Sequence, residues 1–204
     1  LGRASGILPK DQIIPGEKLV MGSSVKVYVS KLEIGPKGPF IMLSRSHYGF
    51  VKRLLEIEIP ELSDGTVMLY SVARDAGSRT KIAVYTEYNN VDPIGAVIGE
   101  KGRRIAAVLK ELNGEKIDVI LYDKDPVKFI TNALSPAKDI KVTIKDENKK
   151  EALAVVGDNN LSLAIGKRGQ NVKLASRLTH YKIEVKSQSA VNEENAEEVE
   201  ASEK

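Results

Sequence analysis

The sequence has no cysteine and no tryptophan, and it has only two histidines in 204 residues. Without cysteine the chain can form no disulfide and no thiolate metal site, and it has no cysteine nucleophile. His47 and His180 lie far apart and lack neighbours at the spacing of metal ligands or of a catalytic acid and nucleophile. These absences argue against an enzyme, and we predict no catalytic residue, no metal and no cofactor.

Long hydrophobic runs are also missing. No apolar run approaches the roughly 18 to 20 residues that a membrane-spanning helix needs. The first ten residues do not combine a basic segment with a following apolar one, as a signal peptide does. We therefore expect a cytoplasmic monomer that does not bind a membrane. Because the sequence begins at Leu1 and not at Met, we expect a fragment of a longer protein.

The formal net charge of +3 is small, but it is unevenly distributed. Six glutamates and one lysine lie in residues 193–204, so the rest of the chain is clearly basic. Segments of this kind carry too little apolar surface to offset the entropy of ordering, so we predict a disordered acidic tail over residues 188–204. Such a tail could keep the protein soluble, link it to a further domain, or compete for its basic surface.

Two segments of the sequence repeat each other. Val97–Ile105 and Ala164–Val172 both consist of an apolar residue, Ile, Gly, two polar residues, Gly, two polar residues and an apolar residue. They lie 67 positions apart, and the match continues downstream. One unit of about 65 to 70 residues therefore occurs twice. We place the two copies at residues 47–124 and 125–187.

Each copy shows the pattern helix, strand, strand, helix, glycine loop, helix and strand. The apolar residues that follow the first loop lie at i, i+3, i+4 and i+7, the spacing of one helix face: Ile105, Val108, Leu109 and Leu112. Helices with one apolar face cover a small sheet on one side. We therefore predict the α+β class, with two tandem domains that each contain a three-stranded sheet covered by helices on one face.

Residues 1–46 do not belong to the repeat. Val25–Val29 and Pro39–Leu43 are predicted strands, and Gly35–Gly38 between them has the composition of a hairpin turn. Two strands cannot form a stable fold alone. We therefore interpret this region as the C-terminal part of a truncated β-barrel.

A G-x-x-G sequence alone has little specificity, because 16 glycines in 204 residues give about one match by chance. Gly99–Gly102 and Gly166–Gly169 are distinguished by their context, since each follows a short apolar helix and leads directly into an amphipathic one. Glycine lets a phosphate backbone approach closely, the helix N-terminus offers N–H groups, and the nearby Lys and Arg attract phosphate. A corner that merely needs glycine would not explain these cations, so we predict binding of single-stranded RNA.

The predicted RNA contacts are the loop residues, the apolar residue before each loop, and the polar residues that begin the next helix. In the first copy they are Ile98, Gly99, Glu100, Lys101, Gly102, Arg103 and Arg104. In the second copy they are Ile165, Gly166, Lys167, Arg168, Gly169, Gln170, Asn171 and Lys173. The second loop is not a nucleotide-binding P-loop, because Arg168 occupies the place of the required Ser or Thr.

A second group of cations flanks a predicted hairpin turn at Asp75–Gly77. Arg74, Arg79 and Lys81 are candidates for a lateral RNA contact. Solvated surface charge and a contact with the neighbouring domain explain them equally well, so all three interpretations stay open.

The order of elements around each loop resembles the type II KH fold of bacterial RNA-binding proteins. More specific segments resemble the NusA family of bacterial transcription elongation and termination factors: Leu43–Ser46, Arg74–Val84, Val91–Gly95, Gly114–Asp118 and Leu161–Asn171. The resemblance covers most of the chain. It implies that residues 1–46 end an OB-type RNA-binding barrel and that two KH domains follow as one continuous RNA surface.

The resemblance also implies a mode of binding and a biological role. In KH domains the loop holds about four nucleotides and the bases lie in an apolar groove, with Ile98 and Ile165 near the floor of each groove. The RNA would be nascent transcript. The full-length protein would act with RNA polymerase and other elongation factors in pausing, termination and antitermination.

Two other families combine such modules. A fragment of an exoribonuclease of the polynucleotide phosphorylase type would place a single KH domain before the barrel, whereas here the barrel region comes first and the KH pattern occurs twice. A ribosomal KH protein would usually carry one copy and be more basic. These two remain as alternatives.

Overall fold

The structure is a computed structural model that describes residues 4–36, 38–193 and 196. The chain divides into two compact units, Leu1–Val119 and Ile120–Lys204. No helix within the described ranges is long and apolar enough to cross a membrane.

A three-stranded sheet precedes the repeat. It contains β1 (Gly6–Ile7), β2 (Tyr28–Gly35) and β3 (Gly38–Ser44) in the order β1-β3-β2. The antiparallel pair β2 and β3 places Gly35 opposite Gly38, which confirms the predicted hairpin turn. Assignment of this sheet to an OB-type barrel stays a prediction.

The first predicted strand was placed too early. The structure begins β2 at Tyr28, and residues 25–27 lie outside any strand. Tyr28 pairs with Ser44, the last residue of β3, so the residues before Tyr28 have no partner strand to continue the ladder. The β pattern of Val25–Val29 therefore lacks the tertiary context that a strand needs.

The first repeat copy has the predicted order of elements, with one additional short helix before its first strand. These are α1 (Tyr48–Glu58), α2 (Pro60–Ser63), β4 (Met68–Asp75), β5 (Arg79–Tyr85), α3 (Pro93–Ile98), α4 (Arg103–Glu111) and β6 (Lys116–Leu121), with sheet order β4-β5-β6. Local sequence signals start the helices that flank the sheet. His47 Nδ1 accepts the Gly49 N–H at the start of α1, and Asp92 accepts the Ile94 N–H at the start of α3.

A continuous apolar core holds the first copy together. α1 contributes Phe50 and Leu54, and β5 contributes Ile82 and Val84. On the predicted apolar face of α4, Val108 and Leu112 are fully buried. The burial of these side chains fixes the orientation of α4, the helix that follows the first glycine loop.

The second copy repeats this architecture. Its elements are α5 (Pro126–Ala133), β7 (Ile140–Asp146), β8 (Glu151–Val156), α6 (Asp158–Ile165), α7 (Gln170–Thr179) and β9 (Lys182–Ser187). The sheet order is β7-β8-β9, with β7 antiparallel and β9 parallel to β8. One face of α7 is buried in the domain, and it contains Leu174, Ala175 and Leu178. Both copies therefore confirm the predicted three-stranded α+β domains.

The predicted tail begins too early. Residues 188–193 are helical and not disordered. The Ser187 hydroxyl accepts the Ala190 N–H at 3.2 Å, and the Ser189 hydroxyl donates to Asp158 Oδ1 at 2.7 Å, so serine side chains tie this segment to the second unit. The remaining tail residues, 194–195 and 197–204, lie outside the described residues.

Candidate nucleic-acid interface

The two glycine loops have nearly the same backbone conformation. Gly99, Lys101 and Gly102 have φ/ψ values of 72°/171°, 52°/27° and 73°/14°. The equivalent values for Gly166, Arg168 and Gly169 are 74°/169°, 55°/27° and 74°/15°. In each loop the N–H of the second glycine donates to the carbonyl of the first at 3.0 Å. The repeat in sequence is therefore a repeat in loop geometry.

The two glycines of each loop have different physical roles. A Cβ on Gly99 would lie 2.7 Å from Arg104 Cγ, and a Cβ on Gly166 would lie 2.7 Å from Asn171 Cβ, so these positions have no room for a side chain. A Cβ on Gly102 would meet nothing within 4 Å. The outer side of the second glycine is thus open to a ligand, and its positive φ favours glycine there.

Exposed cations surround both loops. Lys101 and Arg103 are exposed at the first loop, and Lys167, Arg168 and Lys173 are exposed at the second. Within the described residues, none of these five has an acidic group within salt-bridge distance. Their charge is therefore available to an anionic ligand near the N-termini of α4 and α7, where the helix dipole also favours negative charge.

The remaining predicted contacts differ between the copies. Ile98 is 38% exposed beside the first loop, whereas Ile165 is half-buried beside the second. Glu100 is exposed and reduces the net charge of the first loop, and the second loop has a cation, Lys167, at the same position. Gln170 is half-buried at the start of α7. The two loops therefore have the same backbone conformation, but the second loop carries more positive charge.

Asn171 is not available to RNA, contrary to the prediction. Asn171 is only 1% exposed. Asn171 Nδ2 donates to the carbonyl oxygens of Leu134, Leu163 and Ala164 at 3.1, 3.2 and 3.0 Å. Asn171 therefore holds the loop in place from inside the domain and does not line its surface.

Arg104 is engaged within the first unit in a similar way. Its Nη1 donates to Glu61 Oε2 at 2.7 Å and to the Ala96 carbonyl at 2.9 Å. The hydrogen bond from Arg104 lowers the pKa of the Glu61 carboxyl below its usual range, against a smaller opposing effect of burial. Arg104 is thus paired with protein groups, and no local pattern in the sequence indicates Glu61 as its partner.

The proposed lateral RNA contact is wrong for Arg74 and Lys81. The Arg74 side chain is 2% exposed and pairs with Glu115, while the Lys81 side chain is fully buried and pairs with Asp118. Arg79 also binds Asp118, with Nε to Oδ2 at 2.7 Å. Arg74 and Lys81 therefore neutralise carboxylates inside the first unit and do not form an RNA surface. For Arg79, whose side chain is 24% exposed, the lateral contact stays a prediction. Arg74 Nη1 also donates to the Arg45 carbonyl, which supports the third interpretation, a contact with the preceding region.

The ionisation of this cluster follows from its burial. Burial raises the pKa of Asp118, but hydrogen bonds and attraction from Arg79 and Lys81 outweigh it, so the pKa lies below its usual range. Burial lowers the pKa of Lys81, and the attraction of Asp118 only partly offsets this effect. The cluster is therefore a structural element in which two cations share one carboxylate.

A second buried cation joins the N-terminal sheet region to the first repeat copy. The Arg45 side chain is 3% exposed and pairs with Glu17 at 2.6 Å and with Glu111 at 3.0 Å. Burial opposes the charge, yet the hydrogen bonds from Arg45 to these two carboxylates raise its pKa overall. Sequence reasoning assigned no role to Arg45, Glu17 or Glu111, because no local pattern connects them.

Within the described residues, no group of three or more His, Asp or Glu side chains could hold a metal ion.

The family model for the NusA-like first KH domain matches residues 45–122, and the model for the NusA-like second KH domain matches residues 126–193. Several relatives carry the name transcription termination/antitermination protein NusA. The protein of Halalkalibacterium halodurans is 49% identical over 193 residues, which are 95% of this chain and 50% of the relative. The protein of Bacillus subtilis is 49% identical over 193 residues, which are 95% of this chain and 52% of the relative. The protein of Thermus thermophilus is 48% identical over 183 residues, which are 90% of this chain and 47% of the relative.

The chain thus spans about half the length of the curated relatives it matches. The matches confirm the predicted tandem KH architecture and the predicted resemblance. They do not favour an exoribonuclease fragment or a ribosomal protein, because the domain models and the relatives point to the same transcription factor. The names of these relatives do not describe an enzyme.

Proposed function

The chain belongs to the NusA family, and from this premise we propose that it binds single-stranded RNA with the loops Gly99–Gly102 and Gly166–Gly169. The observation that carries the proposal is the equal backbone geometry of the two loops together with their exposed cations. A Cβ on Gly102 would meet nothing within 4 Å, and one on Gly169 would meet only the flexible end of Lys173, so a phosphate can approach the backbone at both glycines. RNA binding by the cations is favourable because counterions are released from the RNA.

The RNA bases are held beside the loops and not on stacking platforms. Aromatic residues make up only 5% of the chain, whereas sheet-based RNA-binding domains stack bases on aromatic side chains. Ile98 and Ile165 supply apolar surface next to the two loops. Since the two modules are on one chain, binding at one loop raises the effective concentration of RNA at the other.

In the whole protein we assign this RNA binding to the regulation of transcription. The RNA is nascent transcript, and RNA polymerase and other elongation factors are partners of the full-length protein. The outcome is a change in pausing, termination or antitermination. The support is the name of the relatives, which refers to termination and antitermination. A cytoplasmic location, a monomeric state and an OB-type barrel at the N-terminus stay predictions.

Fluorescence anisotropy with short unstructured RNA tests the loops directly. The variants are Lys101→Asp for the first loop and Lys167→Asp/Arg168→Asp for the second. Lys101 and Arg168 have positive φ values of 52° and 55°, and Asp tolerates this conformation. We expect both variants to bind RNA more weakly, and we expect the parent affinity to fall with salt by about 0.7 log units per phosphate contact for each tenfold increase in salt.

Lys150→Asp is a matched control. Lys150 is exposed and has a φ of 55°, but it lies in the turn between β7 and β8 and not in a glycine loop. The control has the same change of charge in the same backbone conformation as Lys101→Asp. If Lys150→Asp loses as much affinity as Lys101→Asp, the effect is one of net charge, and if both loop variants bind like the parent, the loops are not the RNA site.

A further inference from the structure

The fifth residue after the first glycine of each loop directs its side chain back towards the preceding helix. This residue is Arg104 in the first loop and Asn171 in the second. Arg104 donates to the carbonyl of Ala96, three residues before its glycine, and Asn171 donates to the carbonyl of Leu163, which occupies the same place in the second copy. The two side chains therefore share one position and one equivalent backbone acceptor.

In the first copy this side chain links three elements. The aliphatic part of Arg104 lies over Gly99, because a Cβ placed there would be 2.7 Å from Arg104 Cγ and 2.8 Å from Cδ. Its guanidinium reaches the last turn of α3 at the Ala96 carbonyl and the Glu61 carboxylate on α2. One side chain thus holds the start of the loop against two helices.

In the second copy the same link is made by a neutral, buried group. Asn171 packs its Cβ and backbone against Gly166, and its amide donates to the carbonyl of Leu134, the residue that caps the C-terminus of α5. The second link uses no charge and lies in the interior.

The two links therefore respond differently to their surroundings. The Arg104 and Glu61 side chains are 36% and 29% exposed, so salt screens their attraction and a phosphate can compete for the guanidinium. The Asn171 hydrogen bonds are buried and neutral, so salt has little influence on them. The two loops have the same backbone conformation, but a solvent-accessible ion pair helps to hold that conformation only in the first loop.

We propose that Glu61 is a positioning residue for RNA binding by the first loop: it holds Arg104 so that Gly99–Gly102 keeps its clamp geometry, although the Glu61 carboxylate never touches RNA. The inference rests on the proposed function of the loops. A loop held in the bound conformation loses less conformational entropy when RNA binds. The RNA affinity of the first loop therefore includes a contribution from Glu61, an acidic residue that lies 38 positions before Gly99.

The sign of the effect distinguishes this proposal from simple electrostatics. Glu61→Gln removes a negative charge and releases Arg104, so tighter RNA binding is expected if charge or a direct Arg104–phosphate contact dominates. If Glu61 positions the loop, RNA binding weakens by about two- to fivefold, the size expected for a partly exposed ion pair. Glu58→Gln is the matched control, because its carboxylate is 31% exposed and pairs with an exposed lysine, Lys26, which belongs neither to the loop nor to α4.

Amide hydrogen exchange measured by NMR gives a second readout in the RNA-free protein. The Gly102 N–H bonds to Gly99 and the Gly169 N–H bonds to Gly166, both at 3.0 Å, so the second loop is an internal control. Glu61→Gln should speed exchange at Gly102 and leave Gly169 unchanged. In Arg104→Gln, RNA affinity should fall while the salt slope stays that of the parent; a slope smaller by about 0.7 identifies a direct phosphate contact.

The proposal is supported by weaker RNA binding in Glu61→Gln than in Glu58→Gln, with faster exchange at Gly102. It is overturned if Glu61→Gln binds as tightly as Glu58→Gln or more tightly, or if Gly102 exchange does not change. Its failure is distinct from a failure of the proposed function. In the first case Lys101→Asp still weakens RNA binding, and in the second it does not.

Discussion

The buried ion pair between Arg74 and Glu115 offers the sharpest test of how the first unit is stabilised. Both side chains are almost completely inaccessible, at 2% and 0% exposure. Glu115 Oε2 accepts from Arg74 Nη2 and from the Gly77 N–H, both at 2.9 Å. Glu115 Oε1 accepts from Arg74 Nε and from the Thr80 hydroxyl. Each oxygen of the Glu115 carboxylate therefore accepts at least two hydrogen bonds from protein donors.

Glu115→Gln keeps the shape of the side chain but replaces one oxygen by an NH2 group. If Oε2 is replaced, Arg74 Nη2 and the Gly77 N–H both face a donor. If Oε1 is replaced, Arg74 Nε faces a donor, while the Thr80 hydroxyl can rotate to accept. In either case the Arg74 charge is left buried without a counter-ion. Breaking a buried pair in this way costs about 3 to 5 kcal/mol. Because single domains are stable by only about 5 to 15 kcal/mol, this change should remove a large part of the stability of the first unit.

The free energy of unfolding of this unit can be measured from its slowest-exchanging amides. Amides of the second unit, Ile120–Lys204, are the internal control. Glu56→Gln is the control variant, since within the described residues the Glu56 carboxylate pairs with exposed Lys52 and Arg53. Its replacement should cost less than about 1 kcal/mol. A loss of less than 1 kcal/mol in Glu115→Gln would refute the reasoning.

The double variant Arg74→Leu/Glu115→Leu completes the test. The matching single variants are Arg74→Leu and Glu115→Leu. If each single loss comes from an unpaired buried charge, the double variant should lose about as much stability as one single variant and clearly less than the sum of the two. Additive losses would mean that the two residues stabilise the unit independently, and the ion pair would not be the cause.

Further predictions concern acid stability and the loop glycines. Asp118 titrates near pH 4 in the unfolded chain and at a lower pH in the folded one, so its stabilising contribution is present above about pH 4 and is lost as pH falls through the folded pKa. The stability difference between the parent and Asp118→Asn, measured by urea unfolding at several pH values, should therefore shrink at acid pH, and a constant difference would contradict this. Gly166→Ala should cost about 1 to 3 kcal/mol because its φ is 74° and its Cβ would lie 2.8 Å from the Asn171 backbone nitrogen. Gly102→Ala has a similar φ but open space around it, so it should cost only about 1 kcal/mol; equal thermal destabilisation of the two variants would show that crowding is not the difference.

Local patterns in the sequence were sufficient for the repeated fold and its loops. The i, i+3, i+4, i+7 spacing of apolar residues in α4 depends only on helix geometry, and Val108 and Leu112 are buried as this spacing requires. The glycines at 99 and 102 were recognisable because positive φ is a property of single residues and their neighbours. Long-range partners play no part in these features.

The tertiary structure alone decided which polar residues are free to meet RNA. Arg74, Lys81 and Arg104 look in sequence like the exposed Lys101, yet each is committed to a carboxylate 41, 37 or 43 positions away. A cation is available or occupied according to what packs against it, and that depends on the pairing of strands and helices distant in sequence. For this protein the sequence by itself determined the two loops and their chemistry, whereas the distant carboxylates determined which of its cations remain to act on a ligand.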